Sequence, residues 1–508
     1  MNKYSKAIVA SGHPLVSEAA AQVLKSGGNA FDAVVAAGFA SSAVEPALNS
    51  LGGGGLLLGH SADKGQNLFF DFFVDTPGIE IKNKVDEPHF FPVTVQFSGS
   101  KQDFNVGLGS VAVPGTLKGL LHIHKRLGFM DLADVLAPSI ELARAHTLNK
   151  NQAYFLQLLY PIMTLFPGGR TIYEPGGNYL QEGDQLVNTD LASFLEEIVI
   201  DGGDNFYFGE LAAKIGREME ENEGLLTRAD LAAYKVKEQT PMSVPFREYE
   251  FYTAPAPSMG GPLIGLSLSL QSLSGMPDYG FGSGEYLVHT TGLMQEVEKV
   301  RASGLSTAQD LQEFLGSMEC TQCVKNIRLF SRGTTHISIA DKKGNCAAMT
   351  CSNGEGAGYF APGTGVMLNN MMGEDDLHPE GFHSSPPGQR VASMMSPSLL
   401  VKDGEVKLVI GSGGSKRIRT AVSQVLTQVI DFKRHIQEAV DAPRLHWDGD
   451  VVQLEPGFPE SDVELLKRQV AVNEWQSKGV YFGGVHAVIP GIEGAADQRR
   501  GGKVAEVI

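Results

Sequence analysis

The 508-residue chain carries 41 Lys and Arg against 58 Asp and Glu, a formal charge of -17. That sign disfavours nucleic acid as a partner, because phosphates are gripped by Lys and Arg. With 42% apolar and 19% charged residues, the composition is that of an ordered globular chain able to bury a large core.

No apolar run approaches the roughly 20 residues that cross a bilayer, so no membrane association is expected. The start, MNKYSKAIVASGHPL, lacks the apolar stretch of a secretory signal, which points to a cytoplasmic protein. Four cysteines are too few for a disulfide scaffold at this length. Cys320 and Cys323 form one C-x-x-C without a second pair at zinc spacing, and read as ordinary thiols.

In chain order, Leu15, Ala19, Val23 and Leu24 share one helical face, and Gly27 and Gly28 end that helix. Asn29 caps a second helix over residues 30–40. GGLLLGH and LFFDFF are short apolar runs suited to buried strands, and Gly52–Gly55 reads as a tight turn. The polar, Pro-containing segment 75–103 reads as surface loops. Helical patterns dominate 113–315, with APAPSMGGP at 254–262 as a candidate junction. Beyond Arg332 strands, glycine turns and helices alternate. Strands at both ends with helices between and outside indicate an α/β layered fold.

The segment GTTHISIADKKGNCAAMTCSN, residues 333–353, reads as an antiparallel hairpin. Ile337 and Ile339 alternate with His336 and Ser338, as in a half-buried strand, and Gly344 supplies the turn. Placing Asp341 opposite Asn345 pairs His336 with Thr350 and Thr334 with Ser352. A bulge would instead present Cys351 or Asn353 to Thr334. Two hydroxyls side by side could be no more than a cross-strand hydrogen bond. Farther on, VKLVIGSGGSKRIRTAVSQVL reads as strand, glycine turn and helix. That turn lacks the Lys-Ser/Thr ending of a phosphate loop and the G-x-G-x-x-G of a dinucleotide site. His378 and His383 flank an acidic stretch that reads as a polar loop, not a metal site.

GTTHISIADKKGN followed by GTGVMLNNM resembles the catalytic region of the γ-glutamyltranspeptidase family. HPLVSEAAAQVLKSGGNAFDAVVA, EPALNSLGGGG, SVAVPGTLKG and FYFGELAAKI resemble its large subunit, and GSGGSKRIRT, DAPRLHW and ADQRRGG its small one. The resemblance implies the four-layer αββα sandwich of N-terminal nucleophile hydrolases. It also implies self-cleavage between Gly333 and Thr334. Residues 1–333 would become a large subunit and 334–508 a small one, both within one folded unit and possible as a homodimer. Thr334 would be the nucleophile and its new α-amine the base; Thr335, the rival, points to the opposite face. Ser352, where the family usually has Thr, would assist, and the N–H groups of Gly413 and Gly414 would form the oxyanion hole. No metal or organic cofactor is implied. Asn353, Asn370, Glu374 and Ser393 fall at substrate-binding positions.

The activity implied is transfer of a γ-glutamyl group from an amide such as glutathione to water, an amino acid or a peptide. The recognition residues depart from the pattern. No Arg lies between Val74 and Val113 to grip the donor carboxylate, Met371 replaces a polar amide, and Met394 replaces a hydroxyl. An amidase with another acyl specificity, or an uncleaved, non-catalytic binding protein, are the alternatives.

Overall fold

The computed structural model describes residues 2–81, 87–97, 100–274, 279–302, 333–378 and 380–508. Cys320, Cys323 and the end of the helical region expected to reach 315 lie outside the described residues.

The first two helices form as their capping residues dictate. Pro14 opens helix Pro14–Lys25, and His13 Nδ1 accepts from Leu15 N at 3.2 Å. Asn29 Oδ1 accepts from the N–H groups of Phe31 and Asp32, while the Asp32 carboxylate accepts from Asn29 N, a complete capping box. The second helix runs Ala30–Val44, longer than the expected 30–40, and all of its residues are buried. Its C-cap, Glu45, is itself buried.

Two sheets lie face to face. The first has seven strands in the order Lys503–Val507, Ala7–Ser11, Thr335–Ala340, Cys346–Ser352, Gly54–Ser61, Gln66–Phe72 and Lys237–Gln239. The second has six: Glu493–Ala496, Gly484–Ile489, Glu405–Gly413, Ser398–Lys402, Tyr249–Thr253 and Met242–Phe246. Helices Pro14–Lys25 and Ala30–Val44 cover the outer face of the first sheet, and Gly260–Ser274 and Arg417–Ile430 that of the second. The result is the αββα sandwich, with one apolar cluster outside the first sheet and another between the sheets and under Arg417–Ile430.

The 333–353 hairpin has the expected register, with Thr335 opposite Cys351 and His336 opposite Thr350. Its first strand is not half-buried, however: every residue of Thr335–Ala340 is buried. Ile337 and Ile339 face the helices, and the polar face meets the second sheet. Gly411 makes room there, since a Cβ at that position would stand 2.2 Å from the His336 ring. His336 satisfies both ring nitrogens internally, with Thr350 Oγ1 at 2.7 Å and Ser338 Oγ at 3.0 Å.

Three expectations are corrected. Segment 75–103 is not all loop: Phe91–Phe97 and Ser100–Val106 pair as a ribbon. Val95, Phe104 and Val106 bury against Leu156 and Leu159 of helix Lys150–Met163, and Pro92 sits at the strand start, where a missing N–H costs little. The region 113–315 also contributes three sheet strands between Lys237 and Thr253, two of them at sheet edges. APAPSMGGP is no junction; it leads directly into helix Gly260–Ser274, where Gly260 and Gly261 pack on the carbonyls of Met394 and Ala254.

Among the described residues no helix is long and apolar enough to cross a membrane, and no group of His, Cys, Asp and Glu could hold a metal ion. His378 Nε2 and His383 Nε2 bond the carbonyls of Met371 and Gly109.

Candidate active site

Thr334 lies just before strand Thr335–Ala340, third in its sheet, where the two sheets meet. It is 4% exposed. Ser352, at the end of the partner strand, donates its hydroxyl to the carbonyl oxygen of Gly333 at 2.6 Å and accepts from Gly354 N at 3.1 Å. Strand pairing thus brings a hydroxyl to the carbonyl that precedes Thr334, with no bulge intervening.

The φ of Gly333 is not in the left-handed region, so backbone conformation is not what calls for a glycine there. The constraint is space. A Cβ there would stand 2.5 Å from Gly354 O and 2.8 Å from Ala47 O. Gly53 and Gly55 likewise permit contact with Ser352 O and Cys351 Sγ; the expected tight turn covers only Gly52 and Gly53, and Gly54 and Gly55 open strand Gly54–Ser61 in close packing beside the site.

Gly413 ends strand Glu405–Gly413, and helix Arg417–Ile430 begins four residues later. A Cβ at Gly413 would lie 2.2 Å from Thr334 O, so Gly413 packs directly on the candidate nucleophile's backbone, while Gly414 packs on Gly483. Gly414 adopts φ +121, a conformation side chains resist.

Two buried charges that sequence reasoning passed over complete this centre. Arg500 Nη1 donates to Thr334 O at 3.1 Å, and Glu45 Oε2 accepts from Thr335 Oγ1 at 3.0 Å. Burial lowers the Arg500 guanidinium to about 10, aided by Arg417 and opposed by Asp497 and Glu45. Burial raises the Glu45 carboxyl to about 7, opposed by the Thr335 bond and Arg500. Both residues sit in segments, EPALNS and ADQRRGG, whose charges break otherwise apolar or glycine-rich surroundings. Asp497 anchors the second segment through Arg444 at 2.8 Å and Arg499 at 3.2 Å. Burial pushes its carboxyl up, yet those arginines outweigh burial and hold it at about 2.

Beside Gly333 the loop after Ser352 gathers the other expected residues. Asn353 is 1% exposed, and neither atom of its side-chain amide has a hydrogen-bond partner in the protein. A buried amide in that state is costly unless something else binds it. Glu374 is buried nearby, with Oε1 2.5 Å from where a Cβ of Gly354 would be. Asn370 shapes the loop: its Oδ1 accepts from Glu355 N and Gly356 N, and its Nδ2 donates to Asn105 O. Glu355, another residue not singled out from sequence, accepts from Gly333 N at 3.4 Å. Ser393 bonds a different set, accepting from Met395 N and, through its carbonyl, from Met259 N and Ser258 Oγ.

Arg390 does not replace the missing carboxylate clamp. It is buried between Asp71 and Asp75, each at 2.7 Å, and donates to the carbonyls of Phe73 and Lys235.

Comparison with known proteins agrees with this architecture. The cephalosporin acylase from Bacillus halodurans superposes with a TM-score of 0.80 over 99% of this chain and 96% of that one, at 24% identity. The γ-glutamyltranspeptidase of Helicobacter pylori matches 61% of this chain and 91% of its own, with a TM-score of 0.51 and 28% identity. The fold is that of the N-terminal nucleophile hydrolases. The γ-glutamyltranspeptidase family model matches residues 16–507. The glutathione hydrolase proenzyme of Escherichia coli K12 is 32% identical, covering 92% of this chain and 86% of that protein. The acylase ACY 1 proenzyme of Pseudomonas sp. SE83 is 33% identical, covering 91% and 86%. The chain belongs to the γ-glutamyltranspeptidase family, and it is an enzyme of the kind that family contains.

Proposed function

We propose that the chain cleaves itself between Gly333 and Thr334 and then acts as a γ-glutamyltransferase or glutathione hydrolase through Thr334. The observation that carries this reading is the 2.6 Å bond from Ser352 Oγ to Gly333 O, which polarises the carbonyl that must be attacked. In the precursor, Thr334 Oγ1 adds to the Gly333 carbonyl carbon. The C–N bond breaks as the nitrogen takes a proton, leaving Gly333 esterified to Thr334. Water hydrolyses that ester, giving a carboxylate on Gly333 and a free amine on Thr334.

An α-amine titrates near 8, so in neutral solution a useful fraction is unprotonated and can take the proton of its own residue's hydroxyl. The hydroxyl attacks the donor amide, the amine leaves with that proton, and the acyl group rests on Thr334 as an ester. Water or an acceptor amine then releases it. Gly413, packed on Thr334, and its neighbour Gly414 serve in this reading as the oxyanion donors. Asn353 and Glu374 line the acyl side, Glu374 meeting an ammonium. The processed unit is taken as a cytoplasmic protein that can dimerise.

A second reading, an acylase of the same fold, is favoured by the commitment of Arg390 to Asp71 and Asp75 and of Arg500 to the carbonyl of Thr334, while Asn353 and Glu374 stand in the loop beside Gly333. The relatives include proteins named for each activity. Release of a chromogenic amine from a γ-glutamyl anilide, lost in Thr334→Ala, is the test. Turnover of simpler acyl amides without turnover of the anilide selects the acylase.

A further inference from the structure

The turn that follows helix Ala30–Val44 touches the cut point on both sides. Before it, Ala47 O and Leu48 Cα stand 2.8 and 3.3 Å from the place a Cβ of Gly333 would take. After it, Glu45 Oε2 holds the hydroxyl of Thr335 at 3.0 Å. Both partners of that bond are buried, at 6% and 2% exposure. Gly12 leaves them room, since a Cβ there would be 3.1 Å from Glu45 Oε1 and 3.3 Å from Thr335 Oγ1.

The turn is itself well anchored. Leu48 N and Asn49 N donate to Glu45 O at 2.8 and 2.9 Å, and Asn49 Nδ2 donates to Ser41 Oγ at 2.6 Å. Leu48 O accepts from Asn353 N, which ties the turn to the loop after Ser352. Thr334 is therefore restrained through its carbonyl by Arg500 and through its neighbour's side chain by Glu45. Neither charge touches the scissile carbonyl.

We propose that Glu45 is a positioning residue for Thr334, fixing the start of the strand through the Thr335 hydroxyl so that the Thr334 hydroxyl is aimed at the carbonyl it attacks. The inference rests on the reading of Thr334 as the nucleophile. In the precursor the bond limits motion of a peptide already tethered at both ends. After cleavage Thr334 becomes a chain terminus, which frays unless tied down, and the Glu45–Thr335 bond then joins the two subunits beside it. Misplacement by about 1 Å can cost a hundredfold in rate.

The experiment follows self-cleavage over time by denaturing electrophoresis after cell-free synthesis, which needs no donor substrate. Glu45→Ala and Thr335→Val are each expected to slow cleavage about ten- to a hundredfold. The double variant should be no slower than the slower single, because both remove one interaction. Glu45→Gln, whose amide oxygen can still accept, should return the rate to within about threefold of wild type, a rescue that a packing role alone would not confine to acceptor-bearing side chains. Thr335→Ser, which keeps the hydroxyl, should behave likewise, and its contrast with Thr335→Val decides the matter if Glu45→Ala does not fold. Wild-type rates in both single variants, additive losses in the double, or failure of both Gln and Ser to rescue would overturn the inference. Cleavage persisting in Thr334→Ala would instead remove the nucleophile reading beneath it.

Discussion

The hydroxyl of Ser352 donates to the carbonyl oxygen of Gly333 at 2.6 Å, across the open end of a hairpin whose other rungs pair His336 with Thr350 and Thr335 with Cys351. The contact is a consequence of register alone. If it activates the carbonyl, Ser352→Ala should slow self-cleavage by about ten- to a thousandfold, the upper end being the loss seen when an oxyanion donor is deleted. Ser352→Thr should retain the rate. Quantifying precursor and fragments over time checks both.

Gly413 leaves no space for a side chain against Thr334 O, where a Cβ would stand at 2.2 Å. Gly413→Ala must therefore displace either the strand end or the nucleophile's backbone. The expected outcome is loss of cleavage together with a stability cost of about 1–3 kcal/mol, the usual penalty of overpacking. Denaturant unfolding measured in a Thr334→Ala background separates the two effects.

Arg390 is buried between two carboxylates, so removing it strands them. Arg390→Met should destabilise the fold by about 3–5 kcal/mol, the cost of breaking a buried pair from one side. In protein that still folds, KM for a γ-glutamyl anilide should be unchanged, because this guanidinium faces Asp71 and Asp75 rather than the donor. A large rise in KM with unaltered stability would identify it as a carboxylate clamp after all.

Glu45 gives a pH dependence of definite sign. Burial lifts its carboxyl from 4.5 to about 7, against the Thr335 bond and Arg500; Cys351 and the space at Gly12 shared with His486 adjoin it. Between those values the unfolded chain binds fewer protons than the folded one, so this group's contribution to stability falls as pH rises. His13 and His486, lowered by burial to about 4, and His336, lowered well below the ordinary value, act in the opposite sense. The readout is thus a difference: from pH 5 to 7.5, Tm in a Thr334→Ala background should fall more, or rise less, than when Glu45→Gln is added. Equal slopes would contradict the assignment.

Local signals in the chain were enough for the two N-terminal helices and the central hairpin, because Gly27, Asn29 and Gly344 act within a few residues of themselves. What local patterns cannot reveal is what covers a face. The polar side of Thr335–Ala340 looks solvent-exposed until the second sheet, contributed by residues far along the chain, closes over it and Gly411 receives His336. The ribbon at Phe91–Val106 was hidden for a similar reason: its alternating Val93, Val95, Phe104 and Val106 are diluted by polar neighbours and Pro92, and helix Lys150–Met163 supplies the missing partner. Glu45 and Arg500 are separated from Thr334 by hundreds of residues or by more than a hundred, so only the folded chain shows that both reach its backbone or its neighbour.

The proposed activity requires that Thr334 acquire a free amine, and intact-mass measurement with terminal sequencing of purified protein tests that most directly. The result expected is two fragments of roughly 36 and 19 kDa, at about 110 Da per residue, the smaller beginning Thr334-Thr335-His336, with Thr334→Ala remaining whole. A wild-type chain that stays uncut, or a smaller fragment starting at any other residue, would contradict it.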